Sequence, residues 1–270
     1  MGLGPTKLGA FTALIPCGPM FLSTWETYYT HTLYLGYING PTEGLIVACL
    51  IMAISGMFGP QIWEHQLSDV FGMVGVLGDM TFRDVWGPML AIAFIGGHLP
   101  ACVYNVVQAR RKAKLPILPV FYDWVPIMVF TTSVFAWLYS PYSTILSHNH
   151  LLLMCLTLSF VIGRMTTKII LCHLTRRPFP HWTVLLVPLV GGAFVGNLPY
   201  LGFRPVNPTV ELWYLRGYFV FAAVAYFSWA IKTISTICAF LDINCLTIKY
   251  PKKPGNTANG VSIPDGKRSS

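Results

Sequence analysis

The sequence has few charged residues. Only 10% of its 270 residues are Asp, Glu, Lys or Arg, whereas 54% are hydrophobic and the mean hydropathy is +0.58. A water-soluble domain of this length cannot hide so much apolar surface in one core. The shortage of charge therefore excludes a soluble globular protein and predicts a multi-pass membrane protein.

The apolar stretches also lack the period-two alternation that is typical of transmembrane barrel strands. A helix crosses a hydrocarbon core of about 30 Å with roughly 20 residues, and it satisfies its own backbone hydrogen bonds. We therefore predict an all-α, multi-pass transmembrane helical bundle of about seven helices. The seven predicted windows are 6–22, 43–60, 87–107, 117–139, 146–173, 182–201 and 212–240.

No CxxC motif is present, and the seven cysteines lie almost wholly in apolar windows, so we interpret them as small buried hydrophobic residues. Gly192 and Gly196 form a GxxxG motif, which predicts close helix packing. We place one membrane domain over residues 1–250. The tail over 251–270 is rich in Gly, Pro, Asn, Ser and Lys, has little to bury, and is predicted to be disordered.

The basic residues favour one side of the membrane. The segments 23–42, 108–116 and 174–181 and the C-terminal tail together hold eleven Lys and Arg, whereas three lie on the other side and four within helices. Because Lys and Arg gather on the cytosolic side, we predict a cytosolic C-terminus and a lumenal or external N-terminus. We therefore interpret the net charge of +8 as reflecting how the chain is oriented in the membrane. We expect the basic residues to contact membrane lipids and expect no nucleic-acid binding.

An aromatic and acidic segment follows the first window. We interpret 23–42 as a cytosolic loop that carries Trp25, Glu26 and Tyr28, with Glu43 in the first turn of the next helix. Carboxylates beside aromatic rings suit a quaternary ammonium group, which ring faces and opposite charge can hold. Two simpler interpretations stay open: an interfacial aromatic belt, and a carboxylate placed to interact with a helix dipole.

Arg164 and Lys168 lie four residues apart in VIGRMTTKIILCHL, and hence on one helix face. One interpretation is that both side chains reach toward the lipid headgroups. The other is that Arg164 binds an anionic ligand, such as a diphosphate or a lipid phosphate.

Several segments resemble one family. STWETYYTHTLYLG followed by NGPTEGLIVACLIMAISGMFGPQIW resembles the segment after the active site in choline and ethanolamine phosphotransferases, of the CDP-alcohol phosphotransferase superfamily. VIGRMTTKIILCHLT and FLDINCLTIKYPK resemble its later helices and its C-terminal end. The resemblance implies a membrane enzyme of the endoplasmic reticulum or Golgi that transfers phosphocholine or phosphoethanolamine from CDP-choline or CDP-ethanolamine to diacylglycerol, using Mg²⁺ (or Mn²⁺).

The family's metal-binding motif, DGxxAR followed after eight residues by GxxxDxxxD, does not occur in this sequence. The one Asp-Gly pair is Asp265-Gly266, and no two of the ten acids are spaced i,i+3 or i,i+4. By this resemblance, the chain corresponds to the C-terminal portion of a family domain of about ten helices. We therefore expect that it supplies no catalytic residue and that this chain alone binds no metal. Trp25, Glu26, Tyr28, Glu43 and Arg164 are the predicted substrate-binding residues.

Two other functions stay open. The first is a non-catalytic membrane scaffold that dimerises with an intact homologue or with itself. The second is a seven-helix receptor or transporter, which rests only on the number of helices and the predicted lumenal N-terminus.

Overall fold

The computed structural model describes residues 1–32, 40–72, 75 and 78–247. Within these residues the chain is all-α, and the single isolated bridge joins Gln66 to Thr81. Its α-helices are α1 Lys7–Leu14, α2 Cys17–Thr30, α3 Gly40–Phe58, α4 Leu67–Phe71, α5 Phe82–Ile92, α6 Leu99–Lys112, α7 Val125–Leu138, α8 Leu151–Leu174, α9 Leu186–Gly196 and α10 Pro208–Leu241. Short 3₁₀ turns cover Pro60–Glu64, Leu118–Trp124 and Leu198–Leu201, and a π-helical turn covers Ala93–His98.

Two compact units make up the chain, Met1–Tyr226 and Phe227–Ser270. The first contains helices α1 to α9 and the beginning of α10, and the candidate functional site lies within it. In the second, the described part is the end of α10 and the residues up to 247. The tail over 251–270 lies outside the described residues, so its disorder stays a prediction.

Five helical stretches in the described part are long and apolar enough to cross a membrane. They are Lys7–Thr30, Phe82–Lys112, Leu118–Leu138, Leu151–Leu174 and Pro208–Leu241. Two shorter apolar helical stretches, Ile46–Phe58 and Leu186–Gly196, fall in the remaining predicted windows. The prediction of an all-α, multi-pass bundle is confirmed, with five of the seven windows reaching spanning length.

The loop predicted at 23–42 is wrong over its first eight residues. Helix α2 continues to Thr30, and it ends where His31 takes a left-handed conformation with φ of 56°. The hydroxyls of Thr27 and Thr30 donate to the carbonyls of Ser23 and Glu26 in the preceding turn, so these polar residues need no water. Residues 33–39 of the predicted loop lie outside the described residues.

The first turn of helix α10 carries a buried carboxylate, Glu211, that the sequence analysis did not single out. Glu211 is 4% exposed and accepts hydrogen bonds from Trp137 Nε1 at 2.9 Å and from Ser143 Oγ at 2.8 Å. The backbone N–H of Thr144 donates to its other oxygen at 2.7 Å. Because a buried carboxylate is stable only with donors around it, Glu211 joins the start of α10 to α7 and to the turn after α7.

The GxxxG motif of α9 packs on the ring of Trp137. A Cβ atom added at Gly192 would lie closer to the ring carbons of Trp137 than van der Waals contact allows, and one at Gly196 would lie 2.9 Å from Trp137 Cδ1. The motif therefore marks close packing, as predicted, between α9 and α7.

We predict that Gly192→Ala destabilises the protein. The added methyl group overpacks the contact with Trp137, which should lower the free energy of unfolding by roughly 1–3 kcal/mol. Thermal unfolding of the detergent-solubilised chain measures the effect. Gly217→Ala is the matched control, because a Cβ there has nothing within 4 Å. An equal melting temperature for Gly192→Ala and the parent chain would contradict the packing argument.

Candidate functional site

A cavity of about 1610 Å³ opens at one end of the Met1–Tyr226 unit. Its walls come from the C-terminal ends of α2, α6 and α8, from the 3₁₀ turn before α7, and from the segment after α8. Two of the segments that the charge count assigns to one side, 108–116 and 174–181, share this cavity with the end of α2. They therefore lie at the same end of the bundle, as predicted.

Among the described residues, Glu26 is one of two buried carboxylates in the cavity wall. It is 6% exposed, and Asn105 Nδ2 on α6 donates to its Oε1 at 2.7 Å. Both residues lie in stretches of membrane-spanning length, where an unpaired charge would be costly. The hydrogen bond between Glu26 and Asn105 joins α2 to α6, and the Glu26 carboxylate faces the cavity.

Asp123 is the second buried carboxylate and is 3% exposed. The hydroxyl of Tyr29 donates a hydrogen bond to its Oδ2, and His181 Nδ1 lies 3.5 Å from its Oδ1. The guanidinium of Arg110 lies over the Tyr29 ring, 5.5 Å from its centre. Asp123 thus joins α2 to the turn before α7 and to the segment after α8.

The sequence analysis missed Asp123. The available signal was that Asp123 is the one acid in the window 117–139, because an ionisable residue inside a predicted span marks a functional position by default. Its partners could not be read from the sequence, since Tyr29 and Asp123 are 94 residues apart.

The structure brings together two of the five predicted substrate-binding residues. Glu26 and Tyr28 line the cavity, and the Tyr28 hydroxyl donates to the Arg177 carbonyl at 2.8 Å. Arg164 does not line the cavity, and its Nη1 lies 3.3 Å from the Ala225 carbonyl. Glu43 is in the first turn of α3, but its side chain lies outside the described part.

Trp25 is fully buried behind the cavity wall. Its ring contacts Tyr29, Phe121 and Trp124, with centroid distances of 6.0, 6.4 and 5.4 Å. This position contradicts the interpretation of Trp25 as part of an interfacial belt, because such a residue would reach the membrane surface. The ring supports the cavity wall without lining it.

Among the described residues that line the cavity, Lys and Arg side chains outnumber the two carboxylates. Those that line it are Arg110, Lys112, Arg176 and Arg177. Arg176 and Arg177 are exposed, whereas both carboxylates are buried and already accept hydrogen bonds. The accessible charge is therefore positive, which suits a phosphate or diphosphate group.

Few oxygen ligands for a divalent metal are free among the described residues of the cavity. Mg²⁺ requires near-octahedral oxygen ligands, but both cavity carboxylates are engaged by Asn105, Tyr29 and His181. In the described ranges no group of three or more His, Cys, Asp or Glu side chains is placed to hold a metal ion. The described residues do not by themselves fit the metal that the family resemblance implies.

Comparison with curated proteins identifies relatives of one kind. The chain is 30% identical over 249 residues to a CDP-alcohol phosphatidyltransferase class-I family protein of Schizosaccharomyces pombe, with 88% of this chain and 60% of that protein covered. It is 32% identical to choline/ethanolaminephosphotransferase 1 of Arabidopsis thaliana (85% and 60% covered) and 29% identical to cholinephosphotransferase 1 of Saccharomyces cerevisiae (93% and 65% covered).

The resemblance to the choline and ethanolamine phosphotransferases is confirmed. The chain spans about three fifths of the length of these relatives. No family model matches it.

We predict that Tyr29→Phe destabilises the protein more than Tyr28→Phe. The first change takes a donor from a buried carboxylate, which costs roughly 1.5–3 kcal/mol, whereas the second removes a bond to a backbone carbonyl at an exposed position, worth about 0.5–1.5 kcal/mol. Both variants lose one hydroxyl and keep the ring, so each is the control for the other. Equal thermal stability of the two variants would show that the hydrogen bond from Tyr29 to Asp123 contributes no more to stability than the bond from Tyr28 to the Arg177 carbonyl.

Proposed function

We propose that this chain takes part in phospholipid synthesis as part of an aminoalcohol phosphotransferase. The reaction is transfer of phosphocholine or phosphoethanolamine from CDP-choline or CDP-ethanolamine to diacylglycerol. The observation that carries the proposal is the basic cavity at one end of a membrane bundle whose curated relatives include named choline/ethanolaminephosphotransferases. We further propose that it is a multi-pass protein of the endoplasmic reticulum or Golgi membrane with a cytosolic C-terminus.

The cavity residues have separate roles in this proposal. Arg110, Arg176 and Arg177 bind the diphosphate of the CDP-alcohol, because guanidinium groups pair well with phosphate oxygens. Tyr28 and Glu26 face the same space and are the candidates for the quaternary ammonium or the ethanolamine nitrogen. The buried Trp25 positions Tyr29 and hence Asp123.

Two further predicted residues also enter the proposal. Glu43, in the first turn of α3, remains a candidate for binding the amino-alcohol group. Arg164, on α8 within a spanning stretch, is a candidate for a lipid phosphate.

We further propose that the 270-residue chain alone does not catalyse the transfer. In the reaction the acceptor hydroxyl oxygen bonds to the phosphorus that carries the amino alcohol, CMP leaves, and the hydroxyl proton is lost to a base. Charge builds on the diphosphate in this step, and a divalent ion, where one is bound, would supply the stabilisation of that charge. The described residues hold the phosphate-binding cations but not a set of free carboxylates for that ion.

We expect the purified chain in nanodiscs to bind CDP-choline without turning it over. Equilibrium binding of radiolabelled CDP-choline measures the first part, and the double variant Arg176→Gln/Arg177→Gln should weaken binding about tenfold or more, because each change removes a cationic phosphate contact. Arg204→Gln is the control, since Arg204 is exposed and does not line the cavity.

Three results would count against parts of the proposal. Binding that is equal in the double variant and the control would count against the cavity as the nucleotide site. Formation of phosphatidylcholine by the chain alone, with diacylglycerol and Mg²⁺ present, would overturn the proposed inactivity. Co-purification with an intact homologue, without any CDP-choline binding, would favour the scaffold function instead.

A further inference from the structure

Two cysteines in the unit Phe227–Ser270, Cys238 and Cys245, are neighbours in space. All seven cysteines of the chain are free thiols, and the thiols of these two interact directly with each other. Cys245 is exposed and Cys238 is half-buried. The exposure of Cys245 contradicts its interpretation as a small buried hydrophobic residue. An exposed thiol beside a second thiol is placed for thiol–disulfide chemistry, which a buried cysteine is not.

The way α10 ends explains why two residues seven positions apart meet. The helix ends at Leu241, and Asp242 takes a left-handed conformation with φ of 54°. The N–H of Ile243 then donates to the carbonyl of Cys238 at 3.0 Å, which is the 6→1 bond of a Schellman motif. A helix that continued would carry Cys245 about 10 Å along its axis away from Cys238. The reversal of the chain therefore brings the two thiols together.

The pair lies at the end of a membrane-spanning stretch. Pro208–Leu241 is long and apolar enough to span the membrane, and it includes Cys238 near its end. Cys245 follows the stretch and is exposed. A water-soluble thiol reagent therefore meets Cys245 first, and Cys238 is the neighbour that can react with the product.

Other cysteines of the chain offer an internal comparison. Cys17 and Cys155 also interact with each other, but both are half-buried and both lie within spanning stretches. Cys49, on α3, is exposed and belongs to the unit Met1–Tyr226. Proximity without access and access in another unit are thus both represented in the same chain.

We propose that Cys238 and Cys245 form a reversible disulfide, with glutathione disulfide as the oxidant. The Cys245 thiolate attacks one sulfur of glutathione disulfide, which gives a mixed disulfide and releases one glutathione. The Cys238 thiolate then attacks the Cys245 sulfur, and the second glutathione leaves. The two protein thiols lose two electrons and two protons, and one glutathione disulfide is reduced to two molecules of glutathione.

The disulfide changes how the chain leaves its last described helix. It joins Cys245 covalently to α10 and holds the reversal at Asp242 closed. On the cytosolic side proposed above for the C-terminus, glutathione keeps thiols reduced, so the dithiol is the resting form and the disulfide forms under oxidising conditions. The site goes beyond the proposed function, because its chemistry involves neither the nucleotide nor the lipid acceptor.

The test is mass spectrometry of the full chain in nanodiscs, equilibrated at a series of ratios of glutathione to glutathione disulfide. Alkylation blocks the remaining thiols, and chymotrypsin cleaves the unfolded chain after Phe240 and Leu241, between the two cysteines. We expect the Cys238 and Cys245 peptides to stay joined until a reductant is added. The joined form should persist at a ratio about tenfold higher than the mixed disulfide of Cys49 does, because the second thiol is already in place.

Three single variants separate the roles of the thiols. Cys238→Ser should trap the mixed disulfide of Cys245 with glutathione, because the thiol that resolves it is gone. Cys245→Ser should leave Cys238 in its reduced, alkylated form, because the exposed attacking thiol is gone. Cys49→Ser is the matched control, since it removes an exposed thiol outside the pair and should leave the joined peptides unchanged.

Two outcomes would overturn the inference. Separate Cys238 and Cys245 peptides at every ratio would show that the two sulfurs do not reach the geometry of a disulfide. Joining of Cys17 to Cys155 at the same ratios would show that exposure does not select the pair. The measurement uses no CDP-choline, so its failure and the failure of the proposed function are distinguishable.

Discussion

The arrangement of this bundle depends on buried carboxylates that must find hydrogen-bond donors inside the protein. Each of the three in the described part of the chain, Glu26, Asp123 and Glu211, is hydrogen-bonded to a partner from another segment. Among apolar helices in lipid, packing alone distinguishes weakly between alternative orientations, whereas an unpaired carboxylate is costly in all of them. These contacts therefore orient α2 against α6, α2 against the turn before α7, and α10 against α7.

The carboxylates lie at both ends of α7, with different consequences. Asp123 precedes this helix and lies in the polar cavity, whereas Glu211 bonds to Ser143 in the turn that follows it. At the end that follows α7, hydrogen-bond donors surround the Glu211 carboxylate. At the first end the acids are held in the wall while Arg176 and Arg177 stay exposed, so the cavity presents positive charge to a ligand.

Hydropathy predicted the helical class and the spans because lipid requires long apolar segments that satisfy their own backbone. It was wrong about residues 23–30, because Ser and Thr in a spanning helix can donate to carbonyls one turn back, as Thr27 does. The site was only partly predictable. Glu26 and Asn105 are 79 residues apart, and nothing local in either segment indicates that they meet.

Two consecutive residues of the turn before α7 line two different cavities: Asp123 lines the polar cavity, and Trp124 lines an apolar cavity of about 340 Å³. The Trp25 ring contacts both Phe121 and Trp124 in this turn. Successive side chains of a 3₁₀ turn point about 120° apart, so one turn can present a carboxylate to water and an indole to lipid. The turn before α7 therefore contributes a residue to each cavity, and a shift of this turn would change the lining of both.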